Sequence, residues 1–320
     1  MDVERYIAGR AAAVNRALPE FVSRFKGSQP LLSEAMLYSL SAGGKRLRPV
    51  LLGAAYEVFG GKASDILPAA CAIEMVHTYS LVHDDLPAMD DDPLRRGRPT
   101  NHRVYGDAMA ILAGDALLTD AFGVLLSSKY PSRVTPGALL AAAEILARRA
   151  GARGMVSGQA ADLQAEGFLQ KRNAGRGKTG RAGRTTARSV RAGLQLLHYI
   201  HLHKTADLIT AAVEMGAALA AAPRRDFNSI SAFGLELGLC FQIADDILDV
   251  EGDKEKMGKA GSDARNRKLT YAALLGVKEA RSRAEGLLRR ALKRLAGVRG
   301  RPAAKDALAG IATFVYRREK

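Results

Sequence analysis

The sequence predicts an all-α protein. Apolar residues make up 48% of the chain, aromatics only 6%, and tryptophan is absent. Alanine and leucine dominate, a composition that favours helices. Apolar segments of roughly 15–25 residues recur, broken by glycine, proline or polar clusters, and strand-like alternation is scarce. A helical bundle with short connections follows.

Candidate helices span 3–25, 31–42, 47–59, 64–86, 105–128, 136–150, 153–167, 195–221, 227–250, 270–295 and 303–318. The third follows a glycine turn, Gly43-Gly44. The fourth runs through Cys71 to His83 into Asp84 and must end near Leu86, because Pro87 disfavours helical geometry at the residue before it. The ninth places Asp245 and Asp249 four residues apart on one face, with Asp246 rotated by about 100°. Between the seventh and eighth helices, 168–193 is glycine-rich, basic and aperiodic. Its like charges repel and it offers little apolar surface, so it reads as a disordered surface loop. Gly175-Arg176-Gly177-Lys178-Thr179 within it resembles a phosphate-loop fragment, but the full spacing and a preceding strand are missing.

At 320 residues the chain is one large domain or two ordinary ones. No linker interrupts it. Cys71 and Cys240 sit far apart in apolar surroundings and read as buried, reduced thiols of a cytoplasmic protein. The N-terminus carries acids and lacks the apolar core of a signal peptide. No uncharged apolar run has the length of a membrane span, so stable membrane insertion is not expected. The net charge is +15, yet 170–193 alone holds eight Lys or Arg and no acid, leaving +7 for the rest. The excess is local, which argues against a nucleic-acid partner.

Two aspartate-rich segments carry the chemistry. Asp84-Asp85 with Asp90 precedes Asp91 and Asp92; Asp245-Asp246 with Asp249 lies ~160 residues on. Both adjoin apolar sequence, where unneutralised carboxylates repel one another. Asp84 also sits at a helix C-terminus, an unfavourable place for an acid. Hard divalent cations with oxygen ligands, Mg²⁺ above all, supply the missing counter-charge. Cations accompany them: Gly44-Lys45-Arg46-Leu47-Arg48 on the glycine turn, Arg95-Arg96 beyond the first acidic segment, Lys204-Thr205 and Lys259. Lys and Arg match phosphate oxygens, and glycines let backbone approach a ligand. Acids for metal beside bases for phosphate fit an anionic phosphate ester. His77 lies seven residues before Asp84, nearly on the same helix face. His198, His201 and His203 cluster without the spacing of a zinc site. No Ser/His/Asp or Cys/His nucleophile arrangement stands out.

Together these residues resemble the trans-type short-chain isoprenyl diphosphate synthases. The match runs in family order from Gly43–Pro49 through His77, the first aspartate motif with Arg95-Arg96-Gly97, Gly158-Gln159, His203-Lys204-Thr205, Phe241-Gln242 with the second motif, and Gly258-Lys259. The resemblance implies a single polyprenyl synthase domain over 1–320, an isoprenoid synthase-type helical bundle around a central cavity, and a homodimer. It implies three Mg²⁺ ions, two on the first motif and one on the second, held by Asp84, Asp85, Asp90, Asp245 and Asp249. An allylic diphosphate would contact Arg95, Lys204 and Lys259. Isopentenyl diphosphate would sit on Gly44, Lys45, Arg48, His77 and Arg96. Thr205, Phe241 and Gln242 would line the reacting carbon, with Lys204, Thr205 and Gln242 nearest the chemistry. The implied reaction is head-to-tail condensation to farnesyl diphosphate.

Tyr79, five residues before Asp84, resembles the aromatic floor that stops the product near C15, although Ser80 lies more nearly beneath Asp84 on an ideal helix. Geranylgeranyl diphosphate is the alternative product, and a non-catalytic paralogue or subunit of the same fold is an alternative role. A terpene cyclase would have no need of the isopentenyl site. The interval from Glu166 to Lys204 is roughly twenty residues longer than the family usually shows, either a tolerated surface insertion or a translation artefact. Pro93 and Ala272 also depart from the family pattern.

Overall fold

The computed structural model describes residues 1–24, 27–174, 187–256 and 270–317, with backbone alone for 166–174, 187–190 and 252–256. It is helical, as composition predicts. The chain divides into two compact units. The first comprises Met1–Ala147, Ala211–Ile230 and Gly297–Ile311, and the second Arg148–Thr210, Ser231–Ala296 and Ala312–Lys320.

In the first unit, α1 (Val3–Val22) begins at Asp2, whose carboxylate accepts from the Arg5 amide at 3.0 Å. Such a cap satisfies one of the four amides that a helix start leaves unpaired. Helix α2 (Pro30–Leu40) begins with proline, whose missing N–H costs nothing there. Helix α3 (Leu47–Val58) follows Gly43, Gly44 and Arg46, all at positive φ. A short 3₁₀ turn, Ala63–Ile66, leads into α4 (Leu67–Asp84). Asp84 closes α4, where Pro87 requires it to stop. Helix α4 is buried almost all round, Ile73, Met75 and Val76 among its contacts with the core.

The next segment departs from the sequence reading, which saw no strands. Leu94–Arg95 (β1) and Arg98–Pro99 (β2) pair antiparallel, Arg95 opposite Arg98. The turn is Arg96-Gly97, with φ of 55° and 75°. Two successive left-handed residues make the tight hairpin turn whose twist matches its strands. Strands two residues long carry no alternation to read.

Helix α5 (Asn101–Tyr105) ends at Gly106 with φ 84°, and α6 (Asp107–Ser127) starts anew, where the sequence suggested one helix over 105–128. Helix α6 packs along α4. Its other side is open: Ile111 and Leu112 are about half exposed. Helix α7 (Pro136–Ala150) follows.

In the second unit, α8 (Met155–Ala174) and α9 (Ala187–Ile200) reach further into the basic stretch than expected. The margins of 168–193 are therefore helical, a correction to the reading of that whole stretch as a loop; 175–186 lie outside the described residues. Leu197 and Ile200 are buried and anchor α9, while Arg191 stays exposed, so helical spacing lets a basic sequence continue a helix. The expected helix 195–221 is broken: His201–Ala206 is a π-helical segment, after which α10 (Asp207–Leu219) begins. Helix α11 (Arg224–Lys256) is longer than expected. The expected 270–295 is two helices, α12 (Tyr271–Leu275) and α13 (Val277–Ala296), separated by Gly276 at φ 84°. Helix α14 (Pro302–Arg317) ends the described chain. Cys71 and Cys240 are buried and not disulfide-bonded, as expected. The Cys240 thiol lies 3.4 Å from the Ala284 carbonyl.

One buried ion pair anchors the first unit. Arg46, only 3% exposed, donates from Nη1 to Glu74 Oε1 at 2.6 Å, from Nε to Asn15 Oδ1 at 2.8 Å, and from Nη2 to the Leu40 carbonyl. It thereby ties α1, α2 and α4 to the turn before α3. Removing one partner strands the other charge out of water. Glu74→Gln is expected to destabilise the protein by about 3 kcal/mol or more, measured by urea denaturation; a loss below about 1 kcal/mol would contradict this role.

Candidate active site

The first aspartate motif folds back on the end of α4. The Asp90 amide donates to the Asp84 carbonyl at 2.9 Å, and the Met89 and Asp91 amides donate to the Leu86 carbonyl at 2.8 and 3.1 Å. Asp91 takes a left-handed φ of 48° to complete the turn. Six residues of separation thus become adjacency, and Asp84 and Asp90 are both partly exposed. The turn brings the main chain of Asp90 back to the end of α4, as expected if the helix stops before Pro87.

Asp85, expected with the metal ligands, is engaged elsewhere. It is buried, and its Oδ1 accepts from Arg95 Nε at 2.9 Å and from Nη2. Arg95 also reaches Asp92 at 3.1 Å. One step round the helix from Asp84 points Asp85 about 100° away, and its side chain is buried. Burial pushes its carboxyl above the usual range despite the guanidinium. Arg95, expected on the allylic diphosphate, is therefore already paired with two carboxylates.

The cations of the same unit form a second cluster. Arg48 is one of them. Its Nε is buried without a protein partner, and burial lowers its pKa to about 10. Arg96 lies across the glycine turn and donates to the Gly43 carbonyl. A Cβ on Gly44 would stand 2.6 Å from the Arg96 guanidinium carbon and would push that side chain aside, while φ of 112° favours glycine at this position. Lys45 is exposed. Burial, then the charges of Arg48, Arg96, Arg46 and Arg95, hold the His77 imidazole well below its ordinary pKa. It is a neutral imidazole among several guanidinium groups. Glu74 partly offsets them. An open cleft beside the hairpin is lined by Thr78, Leu81, Val82, Asp85, Arg95 and Arg96.

The second unit holds the remaining residues. Lys204 and Thr205 lie on the π-helical segment His201–Ala206. Such wide turns are frequent at functional sites. Lys204 Nζ donates to Asp162 at 2.7 Å, and Thr205 Oγ1 donates to Gln242 Oε1 at 2.7 Å. His203 Nδ1 lies 2.7 Å from Asp207, which also accepts from Arg149 at 2.5 Å. Two glycines make room for this segment. A Cβ on Gly158 would lie 2.0 Å from the Lys204 amide nitrogen, and one on Gly238 would lie 2.5 Å from Ala206 Cα.

On α11, Asp245 is partly exposed and Asp249 exposed, while Asp246 is buried. Asp246 accepts from the Tyr271 amide at 3.0 Å and lies 3.5 Å from His201 Nε2. Burial raises its carboxyl to about 7, while burial lowers His201 to about 3. Phe241 and Gln242 are partly buried, and Lys259 lies outside the described residues.

Among the described residues, no three His, Cys, Asp or Glu side chains come close enough to hold one ion by themselves. The donor set nevertheless fits Mg²⁺. Asp84 and Asp90 in the first unit, and Asp245 in the second, each offer only carboxylate oxygens, and Mg²⁺ keeps several waters, taking one or two carboxylates and completing its shell on substrate phosphates.

The sequence matches the polyprenyl synthetase family profile over residues 29–305. The chain belongs to this family. Among related polyprenyl synthetases, it is 46% identical over 284 residues to a farnesyl diphosphate synthase of Geobacillus stearothermophilus, covering 88% of each chain. It is 43% identical over 298 residues to geranylgeranyl pyrophosphate synthase 7 of Arabidopsis thaliana, covering 92% of this chain and 79% of that one. It is also similar to the crystal structure of an FPP/GFPP synthase from Zymomonas mobilis, with TM-score 0.78, 32% identity, and coverage of 98% and 99%.

Three acids of this polyprenyl synthetase escaped the sequence reading, Glu74, Asp162 and Asp207, as did the pairing of His201 with Asp246. Single acids in apolar helices give no spacing signal; only the fold shows their partners.

His77 makes one definite contribution to the pH dependence of the ligand-free protein. Its folded pKa lies well below the ordinary 6.5, so the unfolded chain takes the proton first as pH falls. The stability it contributes is present above that ordinary value and lost below it, by up to about 1.4 kcal/mol per pH unit. His77→Gln is expected to flatten the fall in stability between pH 6.5 and 5.5; an unchanged slope in denaturant titrations would rule this out.

Proposed function

We propose that the protein is a Mg²⁺-dependent prenyltransferase that condenses isopentenyl diphosphate head-to-tail with dimethylallyl or geranyl diphosphate, giving farnesyl diphosphate and diphosphate. The observation that carries this reading is the partly exposed Asp84–Asp90 turn in one compact unit with Arg48, His77 and Arg96. A carboxylate pair beside an under-neutralised cation cluster suits two anionic phosphate esters handled by different means. The names of the relatives agree with it.

Asp84 and Asp90, and Asp245 with Asp249 in support, would hold the Mg²⁺ ions, three by the family resemblance, and these would supply positive charge to the departing diphosphate. The chain's own groups do the rest. Arg48, Arg96, Lys45 and neutral His77 bind the isopentenyl diphosphate and fix its double bond against the reacting carbon, converting a bimolecular encounter into a positioned one. Lys204, oriented by Asp162, and Lys259 bind the allylic diphosphate, whose charge grows as the C–O bond breaks. Thr205 and Gln242, hydrogen-bonded to each other, present oxygens toward the developing allylic cation. The apolar helices keep water from that cation. The proton lost after bond formation goes to the released diphosphate, so no side-chain base is needed.

Tyr79 supplies the floor. It is buried on α4 five residues before Asp84. The alternative product, geranylgeranyl diphosphate, is favoured by the names of the plant relatives, and Tyr79 decides between them. A second copy of the chain would cover the exposed Ile111, Leu112 and Leu126 of α6. Helix α6 has the length and hydropathy of a membrane span, as does Arg224–Glu251. Asp115 within α6 and Asp245, Asp246 and Asp249 within α11 make a bilayer costly for both. Buried thiols suit a reducing cytoplasm.

Purified protein with Mg²⁺, labelled isopentenyl diphosphate and each allylic primer is expected to yield C15 product, and none after chelation. Asp84→Ala is expected to lower kcat by about a thousandfold, roughly the loss of a charge-stabilising group at a reacting centre. Turnover that persists with chelator, or in that variant, would refute the reading. Light scattering is expected to find a dimer that Ile111→Asp with Leu112→Asp converts to monomer; a monomeric parent chain would remove the self-association proposal.

A further inference from the structure

Helix α6 keeps a glycine where it faces α4. Gly114 is buried in mid-helix, where alanine would ordinarily be the more stable choice. A Cβ there would lie 2.1 Å from His83 Nε2, 2.4 Å from Cδ2 and 2.9 Å from Cε1. The space of the missing side chain is filled by the His83 imidazole. Two further contacts hold that ring in the notch. Its Nε2 is 3.0 Å from the Ile111 carbonyl, which accepts the hydrogen bond, and 3.9 Å from the Asp115 carboxylate. One turn back on α4, Tyr79 meets the same imidazole edge to face, with ring centroids 5.8 Å apart at 81°.

This geometry reaches beyond α4. A growing isoprenoid chain stops where the ring beneath it cannot move. How far Tyr79 can turn depends on what stands beside it, and the imidazole stands there only because residue 114 has no side chain. We infer that Gly114 and His83 are specificity-determining positioning residues: the notch on α6 fixes the imidazole, and the imidazole fixes Tyr79, so product length is set by two helices rather than one. The inference rests on the reading of Tyr79 as the floor.

The mechanism has a coupled signature. His83→Ala removes the support and frees the Tyr79 ring to swing aside. Gly114→Ala expels the imidazole from its notch and has the same consequence. The two changes act through one side chain, so they cannot add.

The test uses the full-length protein with Mg²⁺, geranyl diphosphate and labelled isopentenyl diphosphate, with products resolved by chain length. Gly114→Ala and His83→Ala are each expected to raise the C20:C15 ratio by about tenfold, the scale on which loss of one apolar contact changes discrimination. Gly114→Ala added to His83→Ala is expected to change nothing further. Product ratio is the readout because a merely destabilised protein would make less product of unchanged length. An unchanged ratio in the single variants, or a Gly114→Ala effect that survives without His83, overturns the inference. Should Gly114→Ala fail to fold, His83→Ala alone decides by the same ratio. Tyr79→Met separates the two levels. C20 product from it, with unchanged C15 from the other variants, defeats the positioning role and leaves the floor standing; C15 from Tyr79→Met defeats the floor and the inference with it.

Discussion

Charge that apolar helices bring together without enough countercharge is the constraint around which this protein is organised. A carboxylate or guanidinium beside a buried helix face is tolerable only when it is paired. The structure pairs some of its charges fully. Glu74 neutralises Arg46, Asp85 neutralises Arg95, and Asp207 holds both Arg149 and His203. Others it leaves under-compensated, with Arg48 Nε orphaned and His77 held neutral among guanidinium groups. The paired set builds the scaffold; the under-compensated set marks where anions from outside are expected.

The same logic separates neighbours in sequence. Asp84 and Asp85 are adjacent, yet one closes a helix at a turn shared with Asp90 and the other is buried on an arginine. Asp245 and Asp246 divide likewise, the second receiving the Tyr271 amide and rising toward neutral pH through burial. In each motif one carboxylate stays accessible while the next anchors the segment that presents it. Helical rotation of about 100° per residue produces this division.

Much of this was legible in the sequence. Helical content, the end of α4 before Pro87, the single face shared by Asp245 and Asp249, and the buried thiols all follow from local rules. What local rules missed has a common cause. Arg96-Gly97 forms a hairpin turn between strands too short to alternate. The π-helical segment at Lys204-Thr205 depends on Gly158 and Gly238, distant in sequence, letting two backbones come close. Gly106 and Gly276 each split an expected helix through a positive φ that propensity does not reveal. The margins of the basic stretch are helical because buried Leu197 and Ile200 extend their helix into it. Asp85 was assigned by its place in a motif, and its arginine partner became visible only in three dimensions.

If under-compensated charge defines the site, a bare diphosphate should recognise it without any isoprenoid chain. The most direct measurement is the thermal unfolding midpoint of the ligand-free protein with Mg²⁺ alone, inorganic diphosphate alone, and both. The account predicts small shifts with either and a much larger rise with both, since each completes the other's coordination. A midpoint that does not move with both present, or that moves as far with one as with the pair, would contradict it.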